Sequence, residues 1–478
     1  MSDFRISRAS ALLALLGVLA VSVGGCVDEE EVFGDDRPVT TDPGPAANGF
    51  LGYTQAEARV TICGNCHAQP QAQWVGTAHA NAWETLANSG GAQEFCEGCH
   101  TVSERGNAAT EPSGWTATGD VRYLDVQCES CHGAGRGHVE NPAVSQPIPS
   151  IRVTDAQGGF TNCAECHNGT HHPFVEQWLL SAHAAPVAAA VGRIECAGCH
   201  VGQDVLIGWG VNAEYAEKDS DEPLPIVCAV CHDPHDATFT NQLRFPVETS
   251  SIETHLCARC HNRRSVPDPN SRQGLAPHSP ESELLIGEAG WFPPGADFAP
   301  GTIVGTHGSP NNEVLCAACH LEMFEVTDPA TGGFLFQSVG HTFRALTCVD
   351  ENGIPDGSKG CPLTLEARDW GGCVDSGCHS NAESARVRLQ SRLNIVGPRS
   401  QELRALLEVV DPNLGAPGGE IDATNPTFTV AEGAFFNLNL ANHRGSQLGS
   451  ATHNASLTIA LLNESIDAVE REYGISLP

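Results

Sequence analysis

The residues of this chain best suited to chemistry are cysteines and histidines, which recur together as Cys-x-x-Cys-His. Eight copies begin at Cys63, Cys96, Cys128, Cys163, Cys196, Cys228, Cys257 and Cys316. This spacing is the attachment signature of c-type haem, in which two thiols bind the porphyrin and the adjacent histidine binds its iron. Structural zinc needs no histidine after every second cysteine, and a disulfide framework would not repeat one short spacing. The sequence therefore predicts at least eight covalently attached haem c groups.

A ninth site has a wider spacing. Cys373, Cys378 and His379 form a Cys-x4-Cys-His motif, which is similar to sites in the small tetrahaem cytochromes of sulfate reducers, and we expect a ninth haem there. Alternatively, this pair is redox-inert and one member bonds Cys348 or Cys361. We expect Cys348 and Cys361 to form a disulfide with each other. Cys361 could instead be the distant partner of Cys378 in a longer attachment motif.

The predicted haem-binding residues are thus nine cysteine pairs, each followed by a histidine that binds iron. The thiols are Cys63 and Cys66, Cys96 and Cys99, Cys128 and Cys131, Cys163 and Cys166, Cys196 and Cys199, Cys228 and Cys231, Cys257 and Cys260, Cys316 and Cys319, and Cys373 and Cys378. The histidines are His67, His100, His132, His167, His200, His232, His261, His320 and His379.

Twelve further histidines could supply a second axial ligand, and with only 2 Met in the chain, histidine is the expected type. Ligation by two histidines fills both faces of the iron and leaves electron transfer as its available chemistry. The predicted distal ligands are His79, His138, His183, His235, His255, His278, His307, His341 and His453. His171 and His172 are alternatives to His255, and we expect His443 to be a loop residue.

The motifs are arranged as a repeat, which indicates stacked similar units. The first six form two triplets with steps of 33 and 32, offset by 100 residues, and Trp74–Ala80 (WVGTAHA) recurs as Trp178–Ala184 (WLLSAHA). We also match His138 with His235, each of which follows the third motif of its triplet. A third triplet, stretched to steps of 59 and 57, would begin at Cys257. The expected modules are 51–146, 147–245 and 246–400, followed by a helical segment at 401–478 that holds a distal histidine.

The expected fold is mainly helical and irregular, with short helices and loops around a chain of haems and little β-structure. Each motif should lie on a short helix, and longer helices are predicted at 71–88, 176–185, 401–410 and 455–472. Only 41% of residues are hydrophobic, whereas Gly (50) and Pro (30) are abundant, so the chain lacks material for a large conventional core. Porphyrin faces would replace the missing side chains.

The charge balance restricts the partners. The chain has 25 Lys+Arg against 58 Asp+Glu, a net charge of −33. This excludes a nucleic-acid binder with a general basic surface and argues against charge-driven adhesion to anionic lipid. Fixed negative charge stabilises ferric over ferrous iron, so we expect low potentials and cationic partners or metal ions.

The first 50 residues predict export. Arg5 and Arg8 precede a short apolar stretch that ends before Cys26, which fits a signal peptide at 1–25. Val-Gly-Gly-Cys resembles the bacterial lipobox, which would make Cys26 a lipidated residue; an ordinary signal peptide with a chance cysteine is the alternative. Residues 26–50 then form an acidic tether. The residue directly after Cys26 is not Asp, which by resemblance to bacterial sorting rules favours the outer membrane.

Several segments resemble the multihaem cytochromes grouped with hydroxylamine oxidoreductase and the pentahaem nitrite reductases. They are Cys-x-x-Cys-His followed by Trp-x-x-Ser-x-His, CESCHG…GH, PHSPESELL…GW and GHTF, within roughly Cys63–His341. The resemblance implies a helical and coiled fold with closely packed haems, in a group that includes both enzymes and electron carriers. The chain lacks the Cys-x-x-Cys-Lys motif of the nitrite reductases, which weakens an enzymatic interpretation.

The leading functional prediction is a cell-envelope lipoprotein that conducts electrons through bis-histidine haems. It would serve respiratory or extracellular electron transfer, with periplasmic carriers, other cytochromes and extracellular metal acceptors as partners. The alternative is a multihaem reductase or dehydrogenase for a nitrogen or sulfur oxyanion, with its open haem at Cys373–His379 and Arg259, Arg263 and Arg264 as anion-binding residues. A haem filament is a third possibility.

Overall fold

The computed structural model describes residues 49–103, 114–271, 274–375 and 377–477, so the predicted signal peptide, Cys26 and most of the tether lie outside the described residues. The described chain is mainly helical and irregular, which confirms the expected fold class. Its strands form two antiparallel hairpins, β1 (Tyr53–Gln55) with β2 (Val60–Thr61) and β3 (Phe324–Thr327) with β4 (Phe334–Ser338). In the second hairpin Phe324 pairs with Ser338 and Val326 with Phe336.

The helices that carry the attachment motifs are one or two turns long, because Gly, Pro and loop residues follow each motif closely. They are Cys63–Asn65, Glu97–His100, Cys128–His132, Cys163–Cys166, Ile194–His200, Cys228–Cys231, Cys257–Arg259, Ala317–His320 and Gly371–Val374. The helices between them are equally short. They are Ala56–Ala58, Ala68–Trp74, His79–Asn81, Ala82–Asn88, Glu94–Cys96, Trp115–Thr118, Val121–Tyr123, Arg136–Glu140, Phe174–Leu180, Ala188–Ala190, Gly202–Gly208, Thr240–Gln242, Glu281–Ile286, Thr306–Gly308 and His443–Gly445.

Three longer helices form a bundle near the C-terminus: Ala382–Val410, Val430–Ala441 and Leu448–Tyr473. They contain a conventional apolar core, in which Leu403, Leu438 and Leu462 are at most 1% exposed. The first begins at Asn381, whose side chain accepts a hydrogen bond from the Ser384 N–H. The second is capped by Thr429 and Glu432, which exchange side-chain and backbone bonds.

The four longer helices predicted from the sequence differ from those observed. The helix expected at 71–88 is interrupted, because the Thr77 hydroxyl donates to the Trp74 carbonyl and the chain turns before His79. The helix expected at 176–185 ends at Leu180, where Ser181 becomes extended. The helices expected at 401–410 and 455–472 are parts of longer ones, and the latter is kinked at Asn454 (φ −155°, ψ 77°).

Cys348 and Cys361 form a disulfide, as expected from the sequence. The bridge joins residues 13 positions apart and closes a loop beside the ninth motif. The 18 motif cysteines take part in no disulfide. Cys361 is therefore bonded to Cys348 and not paired with Cys378.

Among the described residues, no helix combines the length and the apolar character that a membrane span requires. Even the two longest helices are too polar to qualify.

Candidate haem-binding sites

We number the motifs one to nine in chain order, beginning with Cys63 and ending with Cys373. Motif three shows how the surrounding chain fixes a motif. The Glu129 carboxylate is buried and accepts hydrogen bonds from the N–H groups of Leu51, Gly52 and Gly135, at 2.7–2.9 Å. These bonds tie the motif helix to the start of the described chain. His132, at the end of the same helix, is thereby held in place.

The duplicated Trp-x-x-[Ser/Thr]-Ala-His-Ala segment is held by the same contacts in both copies. Trp74 donates its indole N–H to the Val126 carbonyl at 3.1 Å, and the Val126 N–H bonds the carbonyl of His79. In the second copy, the Trp178 indole donates to Ile226 at 2.9 Å, and the Ile226 N–H bonds the carbonyl of His183. The repetition therefore fixes two histidines in equivalent positions.

Eight of the nine motif histidines lie opposite a second histidine from elsewhere in the chain. The separations between ring centroids run from 5.7 to 6.4 Å. The pairs are His67 with His138, His132 with His235, His167 with His79, His200 with His278, His232 with His341, His261 with His183, His320 with His453, and His379 with His307.

This separation is the one that a metal between two imidazoles requires. Each coordinating nitrogen lies roughly 1 Å from its ring centroid, and a metal–imidazole bond is about 2.0 Å, so two centroids flanking one ion are about 6 Å apart. Aromatic rings in direct contact also lie about 4.5–7 Å apart, so what favours a shared iron is that each pair contains a motif histidine. In the His200–His278 pair the two Nε2 atoms face each other at 3.5 Å. The residues present therefore fit axial ligation of iron.

Backbone carbonyls fix the orientation of many of these rings through Nδ1. The pairs that make this bond, at 2.6–3.1 Å, are His100 with Ala82, His132 with Pro147, His138 with Ser145, His232 with Asn241, His307 with Thr452, His320 with Phe343, and His341 with Val339. A carbonyl can only accept, so Nδ1 carries the proton and Nε2 is left with its lone pair. Hydrogen bonds of this kind, on the nitrogen that does not bind the metal, orient metal-binding histidines.

His261 differs, because its Nδ1 faces the Glu281 carboxylate at 3.3 Å. Burial acts to lower the pKa of His261, but the bond to Glu281 more than offsets it, and the pKa is raised. Elsewhere burial prevails: it lowers the pKa of His167 to about 3 and those of His183, His341 and His453 to about 4. These imidazoles are neutral at pH 7, which is the state that binds a metal.

A kink in the last helix positions His453. The Asn454 amide donates to the carbonyls of Leu284 and Ile303 at 3.0 and 2.7 Å, and its oxygen accepts from the Leu457 N–H. These bonds hold Asn454 out of helical geometry. His453 thereby lies opposite His320, at the junction between the bundle and motif eight.

Of the nine predicted distal histidines, the structure brings eight opposite a motif histidine and places His255 differently. His255 is fully buried, accepts the Cys257 N–H at Nδ1 and faces the Val314 carbonyl with Nε2 at 3.4 Å. The sulfurs of Cys257 and Cys316 lie within 4.8 Å of its ring nitrogens. His255 is therefore packed against two attachment sites.

His100 of motif two is close enough to His172 for the two to interact electrostatically, and this lowers the pKa of His172 together with burial, which is the larger cause. Its neighbour His171 is stacked on Phe334 at 4.4 Å. Sequence reasoning ranked His172 only as an alternative. One signal favours it: His172 lies 72 residues after His100, much as His278 lies 78 residues after His200.

The remaining sequence candidates have other surroundings. His443 lies 3.8 Å from Glu281 rather than opposite a motif histidine. His138 and His235, which we matched in the repeat, are not structural equivalents. His138 faces His67 of motif one, whereas His235 faces His132 of motif three. The guanidinium of Arg259 lies over the Phe245 ring at 3.3 Å.

Thiols from different motifs also meet. The sulfurs of Cys257 and Cys316 lie within 4.8 Å of each other, and Cys319 Sγ donates to the Gly372 carbonyl of the ninth motif helix at 3.5 Å. Motifs seven and eight are therefore neighbours, and so are motifs eight and nine. Large apolar side chains next to motifs are exposed, including Phe95 (72%) beside Cys96 and Ile194 (92%) beside Cys196, as expected of residues that cover an apolar group.

Comparisons with known proteins agree with this chemistry. Residues 62–133 match the family described as cytochrome c554 and c-prime, and residues 222–265 match the doubled CXXCH motif family. The chain is similar to the C-type polyheme cytochrome OmcC of Geobacter sulfurreducens, at 24% identity over 28% of this chain and 23% of OmcC. The match thus spans about a quarter of that relative.

The fold resembles the crystal structure of the outer cell wall cytochrome OcwA. The TM-score is 0.54 at 16% identity, and the match covers 88% of this chain and 99% of OcwA. Attachment motifs, the geometry of the histidine pairs, family matches and fold agree. The chain is a multihaem c-type cytochrome that binds haem c covalently.

Proposed function

We propose that this cytochrome transfers electrons through nine haem c groups, each held by two histidines. Haem c, when bound, supplies reversible one-electron exchange at its iron. The observation that carries the proposal is the set of eight facing histidine pairs at 5.7–6.4 Å. The two imidazoles of a pair would hold the iron from both sides, would leave no position for a substrate and would remain its ligands in both oxidation states.

His172 is the second ligand of motif two in this proposal. Its electrostatic contact with His100 supports the assignment, and so does the ring stacking that holds His171 against Phe334. His255 then has a different role, as a buried histidine beside the thiols of motifs seven and eight.

We further propose that the protein acts at the bacterial cell envelope in respiratory or extracellular electron transfer. The names of the relatives, a polyheme cytochrome and an outer cell wall cytochrome, support this setting. The lipobox-like Cys26 and acidic tether favour a lipoprotein at the outer membrane, and a net charge of −33 favours cationic partners or metal acceptors beside other cytochromes. Kinship with the hydroxylamine oxidoreductase group remains part of this proposal, supported by the shared motifs.

The alternative enzymatic function requires an iron with an open position. Motif nine, the site that the sequence suggested, has His307 opposite His379 at 6.3 Å, which disfavours it. Motif two is the better candidate, because His100 is the one motif histidine outside the eight facing pairs. In this alternative a nitrogen or sulfur oxyanion would bind to the iron held by His100.

Electron paramagnetic resonance of the oxidised protein, with iron quantification, tests the proposal. We expect nine irons per chain, all low-spin. His172→Ala should convert about one ninth of the iron to high-spin, because one axial ligand is lost. His171→Ala, next to it, is the matched control and should leave the spectrum unchanged.

Two results would contradict the proposal. Mainly high-spin iron in the wild type would exclude a relay of six-coordinate centres. If one ninth of the iron is already high-spin and His172→Ala leaves that fraction unaltered, motif two is open, and turnover of nitrite, hydroxylamine or sulfite should then be assayed.

A further inference from the structure

We infer that an exposed stripe of the helix Ala382–Val410 is a docking surface for an acidic electron-transfer protein, which exchanges electrons with the protein at motif nine. The stripe consists of Arg388, Arg392, Ile395 and Arg399, and we call it the basic stripe. The inference rests on the proposed electron-transfer function and adds one partner to it. At this one place the expected partner is the opposite of the cationic partners that the net charge of −33 favours.

The basic stripe is formed by the helical repeat. Its four residues follow one another at intervals of four, three and four positions, which places them on one side of an α-helix. All four are exposed, and Ile395 is 40% exposed. The apolar core of the C-terminal bundle takes the neighbouring side of the helix, where Val396 is fully buried. The packing of the bundle therefore leaves the stripe open to a partner.

The stripe is positively charged in a strongly acidic chain. Residues 384–401 contain four arginines and no Asp or Glu, whereas the whole chain has 58 Asp+Glu against 25 Lys+Arg. The first and last of these arginines pair with glutamates just outside the stretch. Arg388 and Arg392 form no ion pair with any other described residue. Like charges four residues apart destabilise a helix, and the carboxylates of a bound partner would offset this repulsion.

The stripe also lies beside an attachment site. The helix begins at Ala382, three residues after His379, and Cys373 of motif nine packs against the buried cluster at the start of this helix. The second attachment cysteine of the motif is exposed. At a rise of 1.5 Å per residue, Arg388 and Arg392 lie roughly 9 and 15 Å along the helix from its first residue. A protein bound to the stripe would therefore be close to the haem of motif nine.

The chemistry of the stripe favours an acidic protein over a membrane surface. Guanidinium groups bind carboxylates through two parallel hydrogen bonds, and arginine is enriched at protein interfaces. A helix that lies on a membrane needs a wide apolar face. The apolar side of this helix is buried in the bundle, and Ile395 is the one apolar residue of the stripe. The net charge of −33 also repels anionic lipid.

This arrangement separates two classes of partner. An acidic protein binds at motif nine, whereas cationic partners bind the acidic remainder of the surface. The two classes therefore do not compete for one site, and electrons can enter from one and leave to the other. In each exchange at motif nine, one electron passes between the partner's redox group and the haem iron, so that one is oxidised as the other is reduced.

Stopped-flow mixing of the haem-loaded protein with a reduced, acidic plant-type ferredoxin tests the inference. The iron–sulfur cluster of this probe has a low potential and gives one electron to a ferric haem. Arg388→Glu/Arg392→Glu should slow the bimolecular reaction at low ionic strength by about tenfold, because attraction by the stripe becomes repulsion. Added salt should reduce the difference. The matched control is Arg404→Glu/Arg471→Glu, which changes the net charge equally at exposed positions off the stripe and should slow the reaction by less than about twofold.

Equal slowing in the two double variants, or no slowing in either, would overturn the inference. So would a shifted redox titration in Arg388→Glu/Arg392→Glu that is absent from the control, since the arginines would then act on the haem. Binding of the wild type to phosphatidylglycerol vesicles, lost in this variant, would overturn it in favour of a membrane-binding surface.

Two further measurements keep the test decisive. Haem quantification and circular dichroism check that each variant is intact, and if charge reversal disturbs folding, Arg388→Gln/Arg392→Gln is measured in its place. The proposed function is tested separately by the electron paramagnetic resonance spectrum of the wild type. Low-spin iron together with unaltered ferredoxin kinetics in the variants would remove the docking surface and leave the proposed function intact.

Discussion

Glu281 should lower the reduction potential of the iron held by motif seven. Its carboxylate lies 3.3 Å from Nδ1 of His261, whereas other motif histidines bond backbone carbonyls there. A negative charge behind an axial ligand stabilises ferric over ferrous iron. Glu281→Gln keeps an acceptor for the Nδ1 proton and removes the charge, so the potential of this centre should rise.

The magnitude follows from the geometry. The rings of His183 and His261 are 6.3 Å apart, so the midpoint between them lies roughly 7 Å from the nearer Glu281 oxygen, across the imidazole. The Glu281 side chain is 25% exposed, which suits an effective dielectric constant of about 20. Coulomb's law then gives about 2.4 kcal/mol. For a one-electron couple this corresponds to a rise of about 100 mV.

A redox titration followed by electron paramagnetic resonance would measure the shift, since one centre in nine should move. Glu283→Gln is the matched control, because Glu283 is two residues further along the same helix and points to a different side. A shift below about 30 mV in Glu281→Gln, or an equal shift in both variants, would refute the reasoning.

Three further predictions concern stability. Glu129→Ala leaves three backbone N–H groups without their carboxylate and should lower the free energy of unfolding by about 3 kcal/mol, measured by denaturant unfolding. The control Glu57→Ala changes an exposed residue and should lower it by less than about 0.5 kcal/mol. Equal effects would contradict the anchoring role of Glu129. Replacing both Cys348 and Cys361 by Ser should cost about 3 kcal/mol, because a loop spanning 13 positions is opened, with the haem number unchanged; loss of a haem would mean that one of them attaches it. Tyr473→Phe removes a 2.7 Å bond to Glu420 and should destabilise the C-terminal bundle by about 1 kcal/mol, measured by circular dichroism; a neutral result would show that this bond contributes nothing net.

The attachment motifs and the general fold could be predicted from sequence, because covalent haem binding needs a fixed local spacing. The pairing of histidines could not, because partners are 71 or more residues apart and meet only through packing; His167, for example, faces His79. Proximity along the chain does not reveal the surroundings either: His255 lies two residues before motif seven and is buried beside the sulfurs of Cys257 and Cys316. The predicted helix lengths were wrong where a single side chain ends a helix, as the Thr77 hydroxyl does ahead of His79.

The exchange of histidines between repeats has a consequence for biogenesis. His132, in the third motif of the first repeat, faces His235, which lies in the next repeat. During synthesis and export from the N-terminus, its second ligand arrives only after the following repeat has been delivered. Under the proposed ligation the following repeat supplies this ligand, and the final helix supplies His453 to motif eight. A chain cut between repeats would keep its thioether bonds to haem but would lack the second histidine of some irons. Complete ligation would therefore require the C-terminal part of the chain.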